Sequence, residues 1–420
     1  MGKNILFTDR DHWSTDEIVS AYRGKYRIED AFKSKEVIRI MIAEFKEIFA
    51  NRYSIARTRK DMGQKVIGWV CTFVPEEIIY AAGMFPFRVV GGANTETPLA
   101  NAYLYSNNCS FSRQCLEEGL NKSLDFLDGF VTANSCDHIR RLFDVWLKYF
   151  PTPYKKILSV PCKVTEPAIA HFWEELVTFK EELETIVDRG IGEDCLWQAI
   201  DLYNETRQLF LKLYALRKNE RLPISGREVA EIVRAAWYLP REEYNNLLSN
   251  TLSWLEKREP VLDNDSVRVM VVGSELDNPE YIGIIEDLGG AVVADDLCCG
   301  SRYCWTPVEK GEDPLRALAT RYLSRPFCAR MHPASHRMAH LRKVAQEYNV
   351  EAVIMEVIKF CDIHGGVYPL IRDSFKEVGI PVLYLEREYT LGSVGQMKTR
   401  VEAFFEGLTE GRILKGRILI

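Results

Sequence analysis

Apolar and polar positions follow two rhythms along this chain, and the switches between them mark its parts. Residues 14–60 place apolar side chains three and four apart among charged ones, in segments such as KSKEVIRIMIAEFKEIFA, which is the period of amphipathic helices. The texture then changes. KVIGWVCTFVPEEIIYAAGM predicts a short strand, a turn and a helix beginning near Pro75. Proline suits a first helical turn, and Glu76 and Glu77 suit its positive end. FPFRVVGG predicts a second strand, DFLDGFVTANSCDHIRRLFDVW a third strand followed by a helix, and KKILSVPCKV a fourth strand. Strands alternating with helices imply a parallel sheet.

From 166 to about 260 the pattern is helical with few strand-like runs. A second alternating set begins at VRVMVVGSEL and continues through GGAVVADDLCCGSRYCW, AVIMEVIKFCDIHGG and PVLYLEREYT, and GQMKTRVEAFFEGL supplies a closing helix. The expected fold is α/β: two Rossmann- or flavodoxin-like parallel-sheet lobes with a helical N-terminal segment and a central helical insert. The expected boundaries are 1–60, 61–165, 166–262 and 263–420.

Composition narrows the class. A chain of 420 residues exceeds what one hydrophobic core serves, which fits two lobes. A net charge of −6 argues against a nucleic-acid binder, which needs a basic face for phosphates. No apolar run approaches the ~18 residues of a membrane span. The opening MGKNILFTDRDHW has no secretory pattern, and Leu6 stands where a myristoylation signal needs Ser or Thr. The expected location is the cytoplasm.

The cysteines change the picture most. There are eleven, an odd number, spread from Cys71 to Cys361 with no CxxC pair. Disulfides are disfavoured in the cytosol, and any metal site must be assembled by the fold. Predicted strands end at Cys71, Cys136 and Cys162 in the first lobe, and at Cys298–Cys299 and Cys361 in the second. Ligands of open parallel sheets bind outside the carboxyl ends of the strands, so these thiols converge if the two edges face each other. A single cysteine is more often plain core. Cys195 on a helix fits that, and so does Cys115. Clustering beside Asp, Asn, Ser and Gly favours a metal site for the group. Thiolate-rich, histidine-poor donors suit zinc or iron–sulfur clusters, and ligands dispersed around a functional cleft favour a cluster. Cys109 opens a helix, a position that favours thiolate. Cys328 lies in a loop that can reach the cleft, and Cys304 is intermediate.

The stretches GWVCTFVPEEIIYAAGMFP, NNCSFSRQC, DFLDGFVTANSCDHIRRLFDVW, DDLCCGSRYCW, KFCDIHGG and GQMKTRVEAFFE, in this order over residues 65–410, resemble the 2-hydroxyacyl-CoA dehydratase and benzoyl-CoA reductase family. The resemblance implies a low-potential iron–sulfur catalyst. It would receive single electrons from a separate ATP-hydrolysing activator that carries its own cluster. Three cysteines of a family subunit hold one [4Fe-4S] cubane, and by motif these map onto Cys136, Cys162 and Cys361. The surplus of thiols resembles the double-cubane branch, whose members are homodimers that reduce small molecules. Cys71, Cys109 and Cys328 are the candidates for a second cubane, with Cys299 and Cys304 in reserve. His364 is a candidate proton donor, its ordinary pKa suiting the task, against a structural role in its turn. Glu76 is a second catalytic candidate, against a helix-start charge. Gly365 and Gly366 suggest a tight turn or a close backbone approach to a bulky ligand, and Arg302 a partner for an anion or a carboxylate. The chain has no GxxxxGK[ST] loop and no GxGxxG at a strand–helix junction, in keeping with ATP hydrolysis on another protein. Three alternatives stay open: a dehydratase or reductase subunit with a single cubane, a non-catalytic electron carrier, and a zinc-stabilised scaffold.

Overall fold

A computed structural model describes residues 35–92, 96–262 and 265–418. The helix expected over 14–34 lies outside them. The remainder of that segment forms α1 (Lys35–Ala50) and α2 (Arg52–Asp61).

The first lobe runs β1 (Val66–Val70), α3 (Glu76–Ala81), β2 (Phe85–Arg88), α4 (Ser110–Leu120), β3 (Gly129–Ala133), α5 (Asp137–Tyr149) and β4 (Tyr154–Leu158). Pro75 is the N-cap of α3, as its ring favours. Four helices follow: α6 (Glu166–Val187), α7 (Glu193–Ala215), α8 (Gly226–Ala235) and α9 (Arg241–Leu255). Ser225 and Glu228 close a capping box at the start of α8. The second lobe runs β5 (Val267–Gly273), α10 (Pro279–Asp287), β6 (Gly290–Asp296), α11 (Ser301–Cys304), α12 (Pro314–Ser324), α13 (Ala334–Glu347), β7 (Ala352–Ile358), α14 (Asp362–Gly366), α15 (Tyr368–Lys376), β8 (Val382–Arg387) and α16 (Val394–Ile418).

Every strand pair is parallel, in the orders β2-β1-β3-β4 and β6-β5-β7-β8. The two sheets thus share one topology. Strands β1, β3, β6 and β7 are buried along their whole length, which explains their nearly unbroken apolar sequences. In each lobe the chain turns from one side of the sheet to the other between its first and third strands, so each lobe has its crevice at the carboxyl ends of those two strands.

The helical segment does more than link. Glu77 of α3, fully buried, accepts hydrogen bonds from Arg207 of α7 and, at 2.8 Å, from the Tyr322 hydroxyl of α12. Glu76 accepts from Arg241 of α9 at 3.0 Å and from the Tyr303 hydroxyl of α11 at 2.7 Å. One buried polar network therefore joins the first lobe, the helices and the second lobe. Glu76, a catalytic candidate in the sequence, is part of this network. Its carboxylate is held by Arg241 and Tyr303 and does not face the cysteine-lined cavity described below.

Candidate metal centre

The two crevices meet at one cavity of about 100 Å³ with a mainly apolar wall. Six cysteines line it: Cys71, Cys109, Cys136, Cys298, Cys328 and Cys361. Each arrives by a local device. Cys71 follows β1 and takes a φ of +76°, and Phe360, just before Cys361, takes +66°. Such left-handed backbone costs a non-glycine residue about 1–3 kcal/mol and gathers at functional sites. Cys109, Cys136 and Cys361 are the N-caps of α4, α5 and α14. Helix amides point at their sulfurs, from Ser112 and Phe111, from Ile139, and from His364 respectively. Cys298 sits in the turn between β6 and α11, where the Arg302 guanidinium donates to its sulfur at 3.1 Å. Cys328 lies in the loop after α12.

Burial is the main influence on five of these thiols and raises them, Cys298 to about 11 and Cys361 to about 12, with Cys71, Cys109 and Cys136 also raised. Their mutual fields link all six: Cys136 responds to Cys109, Cys361 and Cys71, and Cys361 responds most to Cys109, then to Cys328 and Cys298. Cys298 responds to Cys328 and Cys71, and Cys71 to Cys328. Hydrogen bonds set two groups: His138, two residues past Cys136, joins the Cys109 amide to the Phe360 carbonyl beside Cys361, while Arg325, three residues before Cys328, joins Thr72 beside Cys71 to the carbonyl of Arg302, whose guanidinium reaches Cys298. Among the described residues no three His, Cys, Asp or Glu side chains stand close enough to close around a single ion.

The other walls are polar at few points. His138 of α5 donates from Nε2 to the Phe360 carbonyl at 2.7 Å and accepts the Cys109 amide at Nδ1 (3.4 Å), tying the lobes across the cavity. Glu275, just past β5, also lines the cavity and pairs with Arg88 at 2.5 Å. His364 is buried, and its Nδ1 has no hydrogen-bond partner. Burial, then Arg337 and Arg302, hold its imidazole well below the ordinary histidine value. The expected ordinary pKa is thus corrected: His364 faces the cavity as a neutral ring with a free nitrogen.

Of the thiols expected at the centre, Cys136, Cys361, Cys71, Cys109 and Cys328 are brought together. Cys162 is not among the lining residues. It is exposed, and its carbonyl accepts the His332 amide at 2.7 Å. It follows β4, the outer strand of its sheet, while the crevice lies between β1 and β3. Cys299 is replaced by its neighbour Cys298, because the turn aims consecutive side chains apart. The Cys299 sulfur points inward and donates to the Leu276 carbonyl at 2.7 Å. Cys304 is buried against the Ser301 carbonyl, and Cys115 is buried in α4. Cys195, expected in the core, is exposed on α7. Gly365 and Gly366 lie in the short helix α14 rather than in a tight turn. Arg302 meets the carboxylate expected of it, Asp296 at 2.9 Å, and also donates to the Cys298 sulfur. His138 and Glu275 were not anticipated. The signal was there, since each lies just past a strand end that feeds the crevice.

Two α/β lobes of the same topology, facing each other across a crevice walled by thiols, define a class of protein that gathers soft donors from distant parts of one chain. The chain belongs to the family described as 2-hydroxyglutaryl-CoA dehydratase, D-component, which it matches over residues 71–408. It is 27% identical over 371 residues to the (R)-phenyllactyl-CoA dehydratase beta subunit of Clostridium sporogenes, covering 87% of this chain and 98% of that one. It is 31% identical over 345 residues to a benzoyl-CoA reductase subunit of Thauera aromatica, covering 80% and 88%. The (R)-2-hydroxyglutaryl-CoA dehydratase beta subunit of Acidaminococcus fermentans is 28% identical over 381 residues, covering 88% and 100%. These relatives support an enzyme of the dehydratase and reductase group. Among the described residues no helix is long and apolar enough to cross a membrane.

Proposed function

We propose that this protein is an iron–sulfur reductase whose cavity cysteines hold two [4Fe-4S] cubanes joined by sulfide. One cubane is held by Cys109, Cys136 and Cys361, the other by Cys71, Cys298 and Cys328. The observation that carries this is six thiols on one cavity, twice the three that a single cubane takes in the family the chain resembles. Two further features support a fit. Arg325, buried behind Cys71, has no carboxylate within ion-pair distance among the described residues, so it lacks a counter-charge that thiolates would supply. His364, whose buried Nδ1 has no partner among the described residues, lines the same cavity.

When bound, such a cluster stores low-potential electrons and delivers them singly to a substrate. The chain's own residues do the rest. The thiols give up their protons to ligation, which offsets the cost that burial sets on their ionisation. Phe111, Ile139 and Ile358 exclude water from the cavity. His364 offers a hydrogen bond to a small substrate admitted beside Cys361. Electrons come from a separate ATP-hydrolysing activator with its own cluster, in line with the absence of both phosphate-loop motifs. The protein works as a homodimer in the cytoplasm, where unpaired thiols persist, and all eleven cysteines are free.

The second reading is a dehydratase or reductase subunit with one cubane and a sister subunit, favoured by relatives that are named as beta subunits. Anaerobic purification of the chain alone, followed by iron and sulfide analysis, decides between them: about eight irons per chain for the first, about four for the second. An iron-free protein isolated without oxygen refutes both. Iron with reversible redox cycling, but no turnover when activator, ATP and small unsaturated substrates are supplied, leaves an electron carrier.

A further inference from the structure

The two groups of cavity thiols have different electrostatic surroundings. In the Cys109, Cys136 and Cys361 group the sulfurs meet helix amides. Two of those helix starts carry an exposed acid as their first residue, Asp137 after Cys136 and Asp362 after Cys361, which opposes the positive helix end. The charged side chain acting on Cys109 there is Arg113, half-buried and bonded to the Asn108 carbonyl at 3.1 Å.

Around the other group stand whole charges. Arg302 donates to the Cys298 sulfur at 3.1 Å. Its one carboxylate partner among the described residues, Asp296, also holds Arg337 at 2.5 Å, so two guanidiniums share one negative charge. Arg325 is buried and donates to Thr72, next to Cys71, at 3.0 Å and to the Arg302 carbonyl at 3.1 Å. Arg330, two residues past Cys328, is bonded to the carbonyls of Val160 and Pro161. Neither Arg325 nor Arg330 has a carboxylate within ion-pair distance among the described residues, and both guanidiniums lie over the Phe73 ring, at 4.8 and 5.3 Å. The nearby acid, Glu275, is neutralised by Arg88. A full charge in a low-dielectric wall outweighs partial helix charges opposed by solvent-facing acids.

We infer that Arg302, Arg325 and Arg330 polarise the centre, so that an added electron settles on the Cys71, Cys298 and Cys328 half and the Cys109, Cys136 and Cys361 half is reduced second. This rests on the double-cubane function proposed above. The test is an anaerobic redox titration of the iron-loaded full chain with titanium(III), followed by electron paramagnetic resonance, with iron counted in every sample. Arg325→Gln is expected to lower the reduced fraction at a fixed potential at least tenfold, a fall of about 59 mV in the first midpoint. Arg325→Lys keeps the charge and is expected to hold the midpoint, which separates charge from packing. Arg302→Lys guards against failure of the Gln variant to fold, and it should lower the midpoint by less than Arg325→Gln because it keeps its charge but loses its fork to sulfur. Arg113→Gln is expected to leave the first midpoint in place. The inference falls, with the function intact, if eight-iron protein shows the same first midpoint in Arg325→Gln and wild type, or if Arg113→Gln lowers it as much. Wild-type protein with about four irons overturns both.

Discussion

Replacing Glu77 by Gln tests whether the buried network behind the cavity sets the relation of the two lobes. The change keeps shape and removes one charge. Glu77 is fully buried, pairs with Arg207 and accepts the Tyr322 hydroxyl, so one carboxylate joins α3 to α7 and α12. Removing one partner of a buried pair strands the other charge and costs about 3–5 kcal/mol. An amide oxygen can still accept one bond, which places the expected loss near the lower figure. For a cooperative unit of about 400 residues that is a fall of about 4 °C in Tm. The pH dependence follows from the direction of the shift. Burial pushes the Glu77 carboxyl up, but Arg207 and Arg321 outweigh it and hold it below its ordinary value of 4.5. A depressed acid stabilises the fold above its unfolded pKa, and that stability is lost as pH falls through the lowered value. The gap between wild type and variant should therefore be full at pH 7 and close in acid. Differential scanning calorimetry across pH, with iron content measured alongside, reads both. α3 begins five residues after Cys71, so the variant should also retain less iron. Equal Tm values at pH 7, or a gap that persists unchanged into acid, would refute the reasoning.

Two further outcomes are expected. Cys298→Ser should lose about half the bound iron, whereas Cys299→Ser should keep its iron and lose about 1 kcal/mol through its altered bond to Leu276; equal iron loss in both would contradict the placement of the two sulfurs. Glu356, fully buried in β7 beside Arg387, is pushed up to about 7 by burial, which Arg387 only partly offsets. Its ionisation therefore weakens the fold as pH rises from about 4.5 to 7, by up to about 3 kcal/mol. Glu356→Gln should gain on wild type in thermal melts over that window and hold the gain above it, and a difference flat with pH would exclude the assignment.

Much of the architecture was legible in the chain. Strands such as VIGWV and AVIMEVI are buried on both faces, and that burial forces the apolar runs that reveal them. The rule that strand ends carry sites led to Cys71, Cys136 and Cys361 for the same reason. Three things were hidden. Strand order is a property of the folded sheet, and it removes Cys162 by making β4 an outer strand. The choice between Cys298 and Cys299 depends on backbone direction in one turn, which neighbouring residues of the same type cannot disclose. The pairing of Glu76 with Arg241 and Tyr303 joins residues up to 227 positions apart in the chain, beyond any local pattern.

The cavity wall is mostly hydrocarbon, and its few polar groups are pinned, His138 between two backbone groups and Arg302 between Asp296 and sulfur. Few dipoles there are free to turn when the local charge changes. Under the function proposed above, solvent-like rearrangement on electron arrival would be small, and the activation barrier that it sets correspondingly low. Charge exchange would then run at a rate governed by distance rather than by how fast the surroundings relax.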